Sequence, residues 1–333
     1  MTFGRRSLLR ASLLGASALG ACAAPPAGQS LHRLPDAPRP LARSAVAVVQ
    51  VSDHATLREA IAEVVRRAGG LSFIRPGQTV LIKPAVNSGN PYPATVDPET
   101  VLALARLVQQ AGGAPQVADR TMFLRSTAEA FRKTGILEAT RQARIPCLPL
   151  DRAPTVVVAH PLAAHWSGRR IEIYRAVAEA DHVIDVCTPR THRLGVFTMA
   201  LKNMVGAVAG SARPAMHVGP GFEARLAEIT LVVRPSLAVL DARMGFGDGG
   251  PDRGDVVRPG VLVAGTDPVA VDAVGLAYLR LSGANPAVAG RSIWRIPQLA
   301  RAAELGAGVP SASAIVLVGV GPDAEARVRA EMA

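Results

Sequence analysis

Cysteine is scarce in this chain: Cys22, Cys147 and Cys187 are the only three among 333 residues, and no two form a Cys-x-x-Cys pair. An iron–sulfur cluster ordinarily takes four thiolates, so no intrinsic iron–sulfur cluster is expected. Cys147 and Cys187 could share one disulfide in an oxidising compartment or stay unpaired and buried; spacing alone does not decide. Lysine is equally rare, three residues against 34 arginines, so the places where lysine does occur draw notice. Aromatic residues make up 4% of the chain, and no basic run carries aromatics between its charges. That argues against a nucleic-acid surface. The N-terminal apolar run, Leu8 to Ala21, is broken by Arg10 and is too short to cross about 30 Å of hydrocarbon as a helix.

What is present begins with that N-terminus. Arg5-Arg6-Ser7-Leu8-Leu9-Arg10 resembles a twin-arginine signal, which implies export by the twin-arginine machinery of a protein already folded. Leu19-Gly20-Ala21-Cys22 resembles a bacterial lipobox, with Cys22 as the lipidated residue and ordinary cleavage nearby as the alternative. Residues 1–21 are therefore expected to be a signal peptide. The stretch 22–44, rich in Pro, Ala and Arg without periodicity, is expected to be a tether. The expected address is the periplasm or cell envelope, as a lipoprotein held at the membrane by its lipid anchor only. Hydrophobic residues reach 49%, enough for a substantial core in one globular unit at 45–330, which could divide into two lobes. The formal net charge of +11 becomes +8 once Arg5, Arg6 and Arg10 are removed, a balance that favours anionic partners.

Through the rest of the chain, short apolar runs alternate with amphipathic spacing. Strands are predicted at 44–51, 79–83, 114–119, 145–150, 182–187, 236–241, 261–265 and 315–319, with an antiparallel pair at 155–159 and 170–174. Helices are predicted at 56–68, 98–110, 127–134, 222–233 and 267–281, and from Val196 onward, where Phe197, Leu201, Met204 and Val208 recur at helical spacing. Asp267 is expected to cap its helix and Asp272 to lie on that helix's surface. This alternation predicts an α/β fold, a mainly parallel mixed sheet of about seven strands covered by helices on both faces.

Ligands of open parallel sheets gather beyond the carboxyl ends of the strands. Lys83 and Asn87 follow the second strand, Asp119 ends the third, His192 follows 182–187, and Asp241 and then Asp248 follow 236–241. Two of the three lysines, Lys83 and Lys202, thus sit in candidate sites. Lys202 and Asn203, offset from the apolar stripe, would offer a cation and an amide to a carboxylate or phosphate, or else form a solvated helix face. His192 could serve as base, metal ligand or donor. Asp119 could pair with Lys83 or hold a metal with His192 and Asp248. Gly249 and Gly250 could turn backbone N–H groups toward an anion, or simply form a turn.

The motifs VLIKPAVN, the Asp119 strand end, TPRTHRLGVFTMALKNMVGAV, Gly249-Gly250-Pro251 and TDPVAVDAV stand in an order that resembles the "domain of unknown function 362" proteins. The resemblance covers roughly Val80 to Gly283. It implies an α/β domain of undefined activity, to which many members append a ferredoxin-type cluster domain. This chain has no cysteines for such a cluster, and Arg190 stands where a lysine is usual, keeping the charge but changing its geometry. The expectation is an exported protein that binds or transforms a small anionic or metal-linked ligand, with Lys83, His192 and Lys202 as catalytic candidates and the cofactor undetermined. The alternative is a non-catalytic envelope protein that holds such a ligand for a partner.

Overall fold

Local chemistry starts each helix where the chain needs it. In helix α1 (Leu57–Arg67) the Thr56 hydroxyl accepts from the Glu59 N–H while the Glu59 carboxylate accepts from the Thr56 N–H, a closed capping box. In α2 (Pro98–Gln110) the Asp97 carboxylate accepts from the Glu99 N–H, and Pro98 occupies the first turn, where no N–H is needed. The computed structural model describes residues 41–217 and 220–333. The expected signal peptide, Cys22 and most of the expected tether lie outside the described residues.

The strands are, in chain order, β1 (Ser44–Gln50), β2 (Thr79–Pro84), β3 (Ala114–Asp119), β4 (Cys147–Pro149), β5 (Thr155–Ala159), β6 (Arg170–Tyr174), β7 (His182–Cys187), β8 (Arg190–His192), β9 (Val196–Thr198), β10 (Leu237–Ala242), β11 (Gly245–Asp248), β12 (Asp255–Val257), β13 (Val261–Gly265) and β14 (Ile315–Val318). Eight form the central sheet in the order β14-β1-β13-β10-β7-β2-β3-β4. Every neighbouring pair is parallel except those that β13 makes with β1 and β10. The fold is therefore a mainly parallel mixed α/β sheet. Strand alternation gives it two cores. Ala47, Val49, Val80, Ile82, Val239 and Leu262 pack under α1 and α2, while Val46, Val48, Leu81, Leu240 and Val263 pack on the other face, under the helix Pro268–Leu281. A small sheet, β12-β11-β8-β9, and the β5-β6 hairpin complete the framework. Among the described residues no helix is long and apolar enough to cross a membrane.

Four expectations change. Residues 196–198 form β9, paired with β8, and the helix runs only Ala200–Asn203 before a 3₁₀ turn at Met204–Ala207. Phe197, Leu201, Met204 and Val208 are all buried as expected, but burial at that spacing fits a strand followed by a short helix equally well. Asp272 is not on a surface: it is fully buried and accepts from the Ala200 and Leu201 N–H groups at 2.7 and 3.0 Å, which fixes where that helix begins. The segment 245–254, whose many glycines predict a loop, begins instead as a strand, because its first four residues are β11. The helix from Phe222 ends at Glu228 and tightens into a 3₁₀ turn at Ile229–Leu231. Asp267 caps its helix as read, accepting from Val269 and Ala270 N–H.

Candidate functional site

A crevice of about 910 Å³ opens beyond the carboxyl ends of β2, β3 and β7. Its wall includes Lys83, Asn87, Asp119, Arg190, His192, Lys202, Asn203, Asp248, Gly249 and Gly250, so the structure brings all ten candidate residues to one place. The floor is a buried ionic network. Lys83 Nζ lies 2.8 Å from Asp119 Oδ1, and both side chains are almost fully enclosed. Asp119 Oδ2 accepts from the Val86 N–H at 3.0 Å, which fixes the carboxylate from its other side. Lys83 Nζ also donates to Asn203 Oδ1 at 3.2 Å.

Asn203 therefore faces inward. Its Nδ2 donates to Asp185 Oδ1 and to the carbonyl oxygens of Lys83 and Val186, so the amide is engaged in holding Lys83 and the two strands below it. The expected pairing of Lys202 and Asn203 on one ligand is not what the backbone delivers, because adjacent helical residues point about 100° apart. Asp185 was not among the candidates. It sits opposite Lys83 in the β2–β7 ladder, fully buried, with Oδ2 lacking any hydrogen-bond partner among the described residues. Burial pushes its carboxyl up to about 7, against the opposing pull of Lys83 and Asn203. The run HVIDVC hides this residue in sequence, since a lone carboxylate inside a strand gives no hint of its neighbours.

Lys202 contrasts with this paired floor. It is half-buried on the crevice wall and makes no hydrogen bond or ion pair among the described residues. Desolvation, followed by the charges of Arg190 and Arg213, lowers its ammonium to about 7. Arg190 is buried; its Nη1 donates to the Ala94 carbonyl and, at 3.3 Å, to that of Pro251, while Nε has no partner among the described residues. Arg213, also outside the sequence candidates, is held on three sides by the carbonyls of Val208, Thr121 and Arg120. It ties the 3₁₀ turn to the loop after β3.

His192 does not titrate near neutrality as its residue type suggests. Its Nδ1 accepts from the Leu194 and Gly195 N–H groups, both at 3.1 Å, which puts the ring proton on Nε2. Burial, then Lys202 and Arg190, hold its pKa down to about 2. The side chain is thus a neutral N–H donor.

On the opposite wall, the Gly249 N–H donates to Asp248 Oδ1 at 2.7 Å and the Gly250 N–H to Thr191 Oγ1 at 3.2 Å. Those amides are not available to a ligand. Gly250 is required for space, since a Cβ there would strike the Thr191 backbone. Asp248 also accepts from Asn285 Nδ2, and these bonds hold its carboxyl below the usual range. Asn87 Nδ2 donates to Asp252 Oδ1 at 3.1 Å, and Asp252 pairs with Arg125 at 2.9 Å. Asp241 lies away from the crevice, fully buried and locked by Tyr92, Thr100 and Arg243. Among the described residues no three His, Cys, Asp or Glu side chains are placed to hold a metal, and Cys147 and Cys187 are both free thiols. Asp119 takes the pairing with Lys83, and no metal set with His192 and Asp248 forms.

An open α/β sheet with a polar crevice at its strand ends is the class that fold and site define. Within that class the chain belongs to the domain of unknown function 362 family, whose profile matches residues 80–277, a span that holds all ten candidate residues. It is 30% identical over 227 residues to the thylakoid-associated protein sll1697 of Synechocystis, covering 65% of this chain and 68% of that one. Among solved structures it is similar to the lactate racemase apoprotein of Thermoanaerobacterium thermosaccharolyticum, at 14% identity and a TM-score of 0.43, over 70% of this chain and 56% of that one. A Thermotoga maritima protein is similar at 14% identity and a TM-score of 0.37, over 58% and 51%. The chain spans only about half the length of those two structures.

Proposed function

We propose that the crevice binds a small anion of the carboxylate or phosphate class, and that the protein does so in the cell envelope after export. The observation that carries the reading is Lys202, an ammonium with no partner among the described residues, placed in a crevice walled by seven lysines and arginines and four carboxylates. An ammonium held half out of water without a counter-ion gains most from an anion that can approach it. Arg190 adds charge and His192 Nε2–H adds a neutral donor. Inorganic sulfate, which does not titrate near neutrality, is a suitable probe by calorimetry. Lys202→Ala is expected to weaken sulfate about ten- to a hundred-fold, the loss of a charge-assisted bond of about 1.5–3 kcal/mol, while thermal melting shows no loss of stability, since the variant drops an ammonium that folding desolvates. Equal affinity in both proteins would remove the proposal.

One observation favours a second reading in which the bound molecule is also transformed. With its pKa near 7, the Lys202 amine is divided between charged and neutral forms at neutral pH, as a proton acceptor requires. A ¹⁵N titration of Lys202 should show a midpoint near neutrality; a midpoint at the usual value for lysine would leave binding alone.

A further inference from the structure

The crevice is cationic inside, and its rim carries exposed apolar side chains among charged ones such as Arg193, Asp248 and Arg291. Met122 and Phe123 line it from the loop after β3, Leu194 from the turn between β8 and β9, and Val196 from the start of β9. Phe123 and Leu194 are 42% and 55% exposed, and Leu124, beside Phe123, is 95% exposed. These are large apolar side chains left partly or wholly in water on two segments that are far apart in sequence. The loops form one rim. Phe123 meets His217 edge-on at 6.0 Å, His217 lies against Phe222 at 5.0 Å, and Phe222 packs beside Gly195.

A second observation marks the same rim. Among the described residues four that are not glycine adopt positive φ; one of them, Leu124 at 65°, lies in the loop after β3, and another, Val196 at 65°, opens β9 just after the β8–β9 turn. For a β-branched valine that conformation is strained, and such strain persists where the surrounding structure holds a functional shape. Contiguous exposed apolar surface next to a polar pocket is the usual lining for the apolar part of a ligand.

We propose that the anion held in the crevice is the head group of an amphiphile, whose unbranched apolar chain leaves across Phe123 and Leu194. The inference rests on the anion-binding reading above and adds the class of ligand. The head group meets Lys202, Arg190 and His192 Nε2–H, and the chain covers the rim side chains that are otherwise in water.

The test uses the full chain and a series of methyl, hexyl and decyl phosphate, each below its micelle concentration and at one fixed pH. The dissociation constant is expected to fall at least tenfold from methyl to decyl phosphate. In a Phe123→Ser/Leu194→Ser protein that gain should disappear while methyl phosphate binds within twofold of the parent. Both positions are exposed, and a thermal melt checks folding; Leu194→Ser alone, which should lose part of the gain, serves if the double variant is damaged. Equal binding of all three phosphates would overturn the amphiphile and leave the anion site standing. A chain-length gain that survives in the folded double variant would overturn it too, by placing the chain elsewhere. Binding of none of the three would remove both readings together.

Discussion

Gly206 sets how closely the 3₁₀ turn approaches the Lys83–Asp119 pair. A Cβ at this position would overlap Asp119 Oδ1 and lie 2.5 Å from Lys83 Nζ. Space, and not backbone freedom, is why glycine stands here. Gly206→Ala must part a buried ion pair, which typically costs about 3–5 kcal/mol; urea unfolding should register a loss of that order, and an unmoved midpoint would show that the pair can shift at little cost. Lys202 makes the second prediction at this scale. Its folded pKa is depressed to about 7, so its contribution to stability is present above the unfolded value and is lost as pH falls through about 7. Anion binding runs the other way, because it needs the charged amine. Sulfate affinity should therefore weaken as pH rises above about 7, and the slope should vanish in Lys202→Ala. Chemistry of single residues was partly open to sequence: Lys83, His192 and Lys202 announce themselves by type and motif. Asp185 and the inward turn of Asn203 do not, since their partners come from strands and turns as many as 120 positions away.

At the scale of elements, the short helix that carries Lys202 begins where a different helix tells it to. Asp272, from Pro268–Leu281, accepts from the first two amides of Ala200–Asn203. Burial drives that carboxyl well upward while those two N–H bonds oppose the shift. Asp272→Ala should strand two buried amides at about 1–3 kcal/mol each and also weaken sulfate, because Lys202 loses its placement. Asp272→Asn keeps one acceptor and should recover part of both losses. Full affinity in a destabilised Asp272→Ala protein would mean that Lys202 is positioned by something else. Elements bounded by strong punctuation could be read directly: 98–110 between Asp97-Pro98 and Gly112-Gly113, and 182–187 as a run that is apolar save for His182 at its start and its one aspartate. Where a cap comes from a distant residue, as at Ala200, no local signal marks the boundary, and the apolar spacing of 197–208 misled the helix assignment.

For the whole molecule, the parallel arrangement gathers strand ends that are far apart in sequence, and this much the alternation of strands and helices foretold. The reversed direction of β13 was not foretold, since an isolated apolar run carries no arrow. The proposed export rests on the N-terminal residues. Replacing Arg5 and Arg6 by lysine should stop delivery to the envelope, and Cys22→Ala should abolish incorporation of radiolabelled palmitate; labelling that persists in that variant would remove the lipid anchor. The direction of β1 carries one more consequence. It runs parallel to β10, β7, β2 and β3 through the intervening β13, so Ser44 lies at the end of the sheet away from the crevice. At about 3.3 Å per residue, its seven residues act as a strut of about 23 Å. A paramagnetic tag placed just ahead of Ser44 should leave the Lys202 and His192 resonances sharp, whereas one on Leu194 should broaden them.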